Sequence, residues 1–342
     1  MTRNHSYHRI PRRAILAAAL ALAGATASVP ALAQNKTQIR IGGAGAGGLF
    51  YVISGGIANL INKYSTTINA TVQATSGGVE NGRLVESGQV DMALVTEDIA
   101  DHLWRGIDEY KAPGTNARLL LKGHPTIYTF VTLGKSNVRT LQDVKGKTIT
   151  FGPPGAGSTV LGERIFAEAG LKLGSDYRAQ VMAYAQQNDA LRDGRVDVIF
   201  NGGLVPIPQL VELNATQDIR LIPIPVALVE SIQKKFGRYY EPKAVPANSF
   251  KNQPADVPAL NIGYSNLIVR AGLADGVVRE IAKILNDHNN ELVAVHVAGK
   301  FYQPAEAFAG GVTFMPFHNG AIAYLKETGR WDKRPAGVIE VK

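Results

Sequence analysis

Residues 39–62 read IRIGGAGAGGLFYVISGGIANLIN. A short apolar run, 39–41, passes directly into Gly42, Gly43, Gly45, Gly47 and Gly48. An apolar pattern at helical spacing follows, through Tyr51, Ile57, Leu60 and Ile61. Strand, glycine turn and helix in this order present bare backbone N–H groups beyond the end of a strand. The first turn of a helix leaves its N–H donors unpaired and carries a partial positive charge, so an anion is its natural guest. Glycine lets the guest approach, because no Cβ stands in the way.

The device occurs a second time. Residues 146–166 read GKTITFGPPGAGSTVLGERIF, giving a strand at 148–151, a glycine and proline turn at 152–157, and a helix beginning near Ser158. Between the two copies lie a strand at 70–75, a Ser76-Gly77-Gly78 turn with a helix at 79–87, and a buried strand at 90–95. Thr96, Glu97 and Asp98 follow that strand, and Asp98 is placed to cap a helix through Leu103 and Trp104. Apolar, threonine-rich runs at 119–122 and 127–133 read as two strands. Further on, 181–184 and 196–200 read as strands, with helices at 188–192 and 206–213. Residues 236–258, rich in proline and polar side chains, read as an irregular excursion. A long strand at 260–270 and helices at 276–285, 290–297 and 320–328 complete the chain. Strand ends that meet small polar residues define the crevice of an open α/β sheet, where ligands sit.

The first 33 residues carry Arg3, Arg9, Arg12 and Arg13 and no acid. An Ala/Leu-rich core and Ala31-Leu32-Ala33 follow. That is the pattern of an export signal cleaved after Ala33, with an apolar core too short to span a bilayer. Arg12-Arg13 also permits the twin-arginine route. Cysteine is absent, which excludes disulfides, a thiolate nucleophile, Cys-ligated zinc and a lipid-bearing cysteine. Loss of the four leader arginines reduces the net charge from +8 to +4. The remaining basic residues are scattered, so no nucleic-acid stripe is present.

Gly43, Gly45 and Gly48 fit a dinucleotide fingerprint, but the next strand ends in Thr75-Ser76 without an acid for a ribose. Gly152 and Gly157 have phosphate-loop spacing, but Ser158 stands where lysine is required. His102, His124, His288, His296 and His318 show no metal-ligand spacing. No serine sits in a G-x-S-x-G elbow, and the sequence does not place a base such as His124 or Glu80 for catalysis. The sequence therefore predicts a non-enzyme with no cofactor and no metal.

The segments GGAGAGGLFYVISGGIANLIN, TSGGVENGRLVESGQVDMALV, GKTITFGPPGAGST, LRDGRVDVIF and PFHNGAIAYLKETG resemble, in that order, the TAXI-type solute-binding proteins of TRAP transporters. The resemblance implies an α/β, two-lobe type II periplasmic binding protein fold with the ligand in the interlobe cleft. One lobe would comprise 36–128 plus 263–342 and the other 129–262, hinged on the strands at 127–133 and 260–270. It further implies a periplasmic monomer that binds a small carboxylate, such as glutamate or 2-oxoglutarate, and hands it to an ion-gradient-driven membrane permease. The ligand-binding residues carried over are Gly47, Gly48, Tyr51, Ser76, Asn81, Thr96, Asp98, Ser158 and Thr159. Phe50-Tyr51 stands in place of the family's usual Tyr-Tyr, Ile53 near a common proline, Thr96 where glutamine is frequent, and Asn319 for a proline. An envelope enzyme or a ligand sensor on the same scaffold is the alternative.

Overall fold

The computed structural model describes residues 36–311 and 313–339, so the expected export signal lies outside the described residues. The chain opens with strand β1 (Thr37–Gly42), helix α1 (Leu49–Tyr64), β2 (Ile68–Gln73), α2 (Gly78–Glu86), β3 (Met92–Thr96) and α3 (Glu97–Arg105). A long strand, β4 (Ala117–Leu133), leads into β5 (Thr148–Thr150), α4 (Gly157–Glu168), β6 (Arg178–Ala179), α5 (Tyr184–Arg192), β7 (Val198–Gly203), α6 (Pro208–Thr216) and β8 (Ile219–Ile222). After α7 (Val226–Phe236) and β9 (Glu241–Val245), a second long strand, β10 (Val257–Arg270), returns the chain. It ends in α8 (Asp275–Asp287), α9 (Asn289–Val295) and α10 (Asn319–Glu327).

All ten strands belong to one curled sheet, ordered β2-β1-β3-β10-β4-β7-β5-β6, with β8 on β4 and β9 on β10. The pairings β1–β2, β1–β3, β5–β6 and β5–β7 are parallel, as strand–helix–strand crossovers require. β4 and β10 run antiparallel side by side from Ala117/Arg270 to Tyr128/Leu260. β4 then continues between β7 and β8, while the far end of β10 lies on β3.

The apolar side chains gather on either side of this pair of long strands. A first core draws on residues 39–121 and again on 267–331, including Ile41, Ile57, Leu94, Leu121, Leu267 and Phe317. The region from Tyr128 to Ile262 buries the two faces of its sheet separately. Phe130 and Phe200 pack with Phe151 and Phe166 on one face, and Val131 and Ile199 with Leu210 on the other. Successive residues of a strand point to opposite faces, which is why neighbours at 130 and 131 serve different clusters.

Several boundaries differ from the sequence reading. The two runs at 119–122 and 127–133 form a single strand through Gly123-His124-Pro125. Proline is tolerated there because the β4–β10 register shifts beside it. The expected strand at 181–184 is replaced by the two-residue β6 upstream, and Tyr184 instead opens α5. The expected excursion 236–258 contains β9, a largely exposed strand with a proline that pairs along β10.

Candidate functional site

Helices α1, α2, α4 and α5 all begin around one small cavity. Their N-cap residues are Gly48, Gly77, Ala156 and Ala183, and none offers a side-chain cap. The first N–H groups of these helices therefore have neither an intrahelical acceptor nor a side-chain one. The cavity measures about 70 Å³, room for several water-sized groups. Gly48, Leu49, Phe50, Gly78 and Thr96 line it from the first core, and Gly157 and Tyr184 from the second. His124, Thr126 and Tyr128 reach it from β4, and Asn201 and Gln209 close it from β7 and α6.

The two halves meet tightly around this space. Glu80 donates its backbone N–H to the Gly155 carbonyl at 3.2 Å. Gly47, at φ +85°, lies against Ala185, whose atoms would sit 3.1 Å from any Cβ at position 47. A side chain there would be strained and would also wedge the halves apart.

The residues expected to bind ligand are distributed as follows. Gly48 and Thr96 line the cavity, and the Thr96 hydroxyl donates to Asp98 Oδ1. Gly47 lines a neighbouring space with Val52 and His296. Ser158, almost fully buried, shares a 2.7 Å hydrogen bond with the lining Tyr184 hydroxyl. Asp98 accepts from Tyr240 at 3.0 Å and from the Ile99 N–H at 2.8 Å. Asn81 braces the first glycine turn, donating to the carbonyls of Gly43 and Leu94 at 2.7 Å each and accepting from Thr75 at 2.7 Å. Thr159 donates to the Pro153 carbonyl at 2.8 Å, and the Ser76 N–H donates to Glu80 at 2.7 Å.

Tyr51 stands apart from the cavity. It is 37% exposed and its ring lies against Gly43. Rotation of about 100° per residue turns Leu49 and Phe50 inward in its place. The sequence reading does not place His124, Thr126 and Tyr128 at the cavity, because it breaks the strand between 122 and 127, whereas β4 carries all three on one face.

No Asp, Glu, Lys or Arg is among the described residues that line the cavity. His124 is neutral there, because burial lowers its pKa to about 3. Burial likewise pushes the Tyr184 pKa up to about 12, so its hydroxyl stays protonated. His124 Nδ1 lies 2.8 Å from the Tyr302 hydroxyl and 3.2 Å from Ser265 Oγ. Ser265 is itself fully buried behind the cavity, which is no position for a nucleophile. Among the described residues no group of His, Asp and Glu could hold a metal ion, and no helix is long and apolar enough to cross a membrane. The arrangement suits capture of a small anion by backbone donors and neutral polar side chains.

A mixed α/β chain with a curled sheet and a cavity among its helix starts has the fold of the periplasmic solute-binding proteins. A protein described as a periplasmic transporter superimposes with a TM-score of 0.50 at 13% identity, over 87% of this chain and 95% of that one. The periplasmic aliphatic sulphonate binding protein SsuA from Escherichia coli aligns over 87% of this chain and 84% of its own, at 15% identity and a TM-score of 0.45. An ancestral arginine-binding protein bound to arginine aligns over 87% and 96%, at 14% identity and a TM-score of 0.42. Residues 41–329 match the NMT1-like family, and the chain belongs to it.

Proposed function

We propose that this is an exported solute-binding protein that captures a small carboxylate in the periplasm and delivers it to a TRAP-type, ion-gradient-driven permease, without catalysing a reaction. The observation that carries the reading is the convergence of four uncapped helix starts on one cavity. Each start offers N–H donors and a partial positive charge to a carboxylate. The lobes would be 36–128 plus 263–342 and 129–262, closing on the ligand by bending at β4 and β10. A ligand held by both lobes favours the closed state and shifts the population toward it. The permease type, and glutamate or 2-oxoglutarate as candidate ligands, rest on the resemblance of the glycine-turn motifs to TAXI-type proteins.

Calorimetric titration of residues 34–342 with small carboxylates, paired with small-angle scattering, tests capture. Binding of a carboxylate with compaction of the chain is expected. Affinity for no carboxylate, or binding without any change in dimensions, would overturn the capture mechanism. Recovery of an ATP-hydrolysing transporter, instead of a TRAP permease, on cross-linking at the membrane would overturn the delivery step.

A further inference from the structure

His124, Tyr302 and Ser265 form a buried relay at the back of the cavity, and its proton arrangement can be deduced. The Tyr302 hydroxyl is 2.8 Å from His124 Nδ1 and 2.8 Å from Ser265 Oγ, and Ser265 Oγ is 3.2 Å from Nδ1. Ser265 is fully buried and has no other side-chain partner among the described residues. If Nδ1 carried the proton and donated to Tyr302, the tyrosine proton would pass to Ser265. The serine proton would then have no acceptor, a costly arrangement in a dry interior. If Nδ1 instead accepts, both hydroxyl protons are used within the trio. A neutral imidazole whose Nδ1 accepts carries its proton on Nε2. Tyr302 and Ser265 do not line the cavity and His124 does, so the Nε2–H edge is the one turned toward it.

A second observation points to the same place. Thr126, two residues along β4, is 4% exposed and lines the cavity, and its Oγ1 has no hydrogen-bond partner. A buried hydroxyl without a partner is uncommon, and this one belongs to a residue two along the strand from the histidine in the same cavity wall. The wall beside these two residues contains neither an acid to pair with an ammonium nor a base to pair with a second carboxylate.

We propose that the ligand is a small monoanion with an uncharged oxygen end, a hydroxyl or carbonyl group received by His124 Nε2–H and Thr126, with its charge held at the helix starts. The wall disfavours amino acids, whose ammonium would be buried unpaired, and dicarboxylates, whose second charge would face only neutral groups. This rests on the carboxylate reading above and narrows it to monoanions, setting aside the glutamate and 2-oxoglutarate that the motif resemblance suggests.

The test is a matched calorimetric series on residues 34–342 with 2-oxovalerate, lactate and pyruvate against norvaline, alanine, malate and 2-oxoglutarate. 2-Oxovalerate should bind at least about tenfold more tightly than norvaline and 2-oxoglutarate, or lactate or pyruvate at least about tenfold more tightly than alanine and malate. Equal or tighter binding of norvaline, malate or 2-oxoglutarate overturns this inference and leaves the carboxylate reading standing. Binding by no member of the series overturns both. The histidine is tested separately by ring nitrogen NMR, which should show the Nε2–H form in the wild type, and an Nδ1–H form would overturn its assignment. His124→Gln, which keeps a neutral donor, should retain most of the affinity, and a folded His124→Leu should lose about tenfold or more. Equal affinity in the two variants counts against the donor role.

Discussion

The hydroxyl of Tyr240, which packs in the second core, donates at 3.0 Å to the carboxylate of Asp98, on the helix that covers the first. Arg164 donates to the same hydroxyl at 2.6 Å and lies 3.4 Å from Asp108. These residues tie the two halves together, alongside the Tyr239 hydroxyl, which donates to Asp101 at 3.3 Å and lies 3.0 Å from His102 Nε2. Tyr240→Phe removes a buried charge-assisted bond and should destabilise the chain by about 1–3 kcal/mol, read from urea unfolding. On the proposed closure mechanism, ligand affinity should fall in parallel, because the closed state loses a tie. Unchanged midpoint and affinity would show that the bond carries no load.

The neighbouring His102 makes that junction sensitive to pH. Its Nδ1 lies 2.7 Å from Glu109, and its Nε2 lies 3.2 Å from Asp108 and 3.0 Å from the Tyr239 hydroxyl. Burial alone would lower its pKa, but the Glu109 hydrogen bond and the surrounding acidic charges outweigh it, so the net shift is upward. A histidine with a raised folded-state pKa contributes stability that is fully present below its unfolded value of about 6.5 and is lost as pH rises through the folded value. Wild type should therefore exceed His102→Gln in unfolding free energy by more at about pH 5.5 than at about pH 8.5. An advantage that is constant, or that grows with pH, would contradict the pairing.

Lys122 and Glu97 form an ion pair buried between β4 and α3. Burial pulls the lysine pKa down and the glutamate pKa up, against the attraction between them. Glu97 also accepts from the Tyr264 N–H at 2.8 Å. Lys122→Met leaves the carboxylate uncompensated and should cost about 3–5 kcal/mol in chemical denaturation. Adding Glu97→Gln, which keeps an acceptor for Tyr264 while removing the charge, should restore at least half of that loss. A double variant no more stable than the single one would mean that packing, not charge, sets the cost.

Thr126 should separate stability from binding. Thr126→Val replaces an unpartnered buried hydroxyl with a methyl group of similar shape, so the ligand-free melting temperature should hold or rise. Affinity for the bound anion should fall about fivefold or more, measured by calorimetry. A lower melting temperature with intact affinity would assign Thr126 to the scaffold.

The glycine turns were legible because backbone geometry dictates the residue type. Gly47 and Gly77 adopt φ of +85° and +123°, values that favour glycine whatever the rest of the protein is doing. The helix after the first turn was legible from Ile57, Leu60 and Ile61, all of which are buried. The same apolar stripe gave no means of telling Phe50 from Tyr51 as the residue facing the cavity. His124, Thr126 and Tyr128 were obscured because Gly123 and Pro125 read as a break, and only pairing with β10 makes them part of one strand. The Asp98–Tyr240 bond spans 142 residues and leaves no local trace, since its partners are chosen by the packing of distant segments.

The first core takes its side chains from both ends of the chain, residues 39–121 and 267–331, while the second is drawn wholly from what lies between. During synthesis the segment 128–262 can collapse on its own contacts, whereas β3 gains its second neighbour only when β10 emerges, and the first core is complete only with the terminal helices. Contacts so distant in sequence form slowly, because a long loop has to be closed before they are rewarded. The opening third of the polypeptide thus completes its core only once the last third is available.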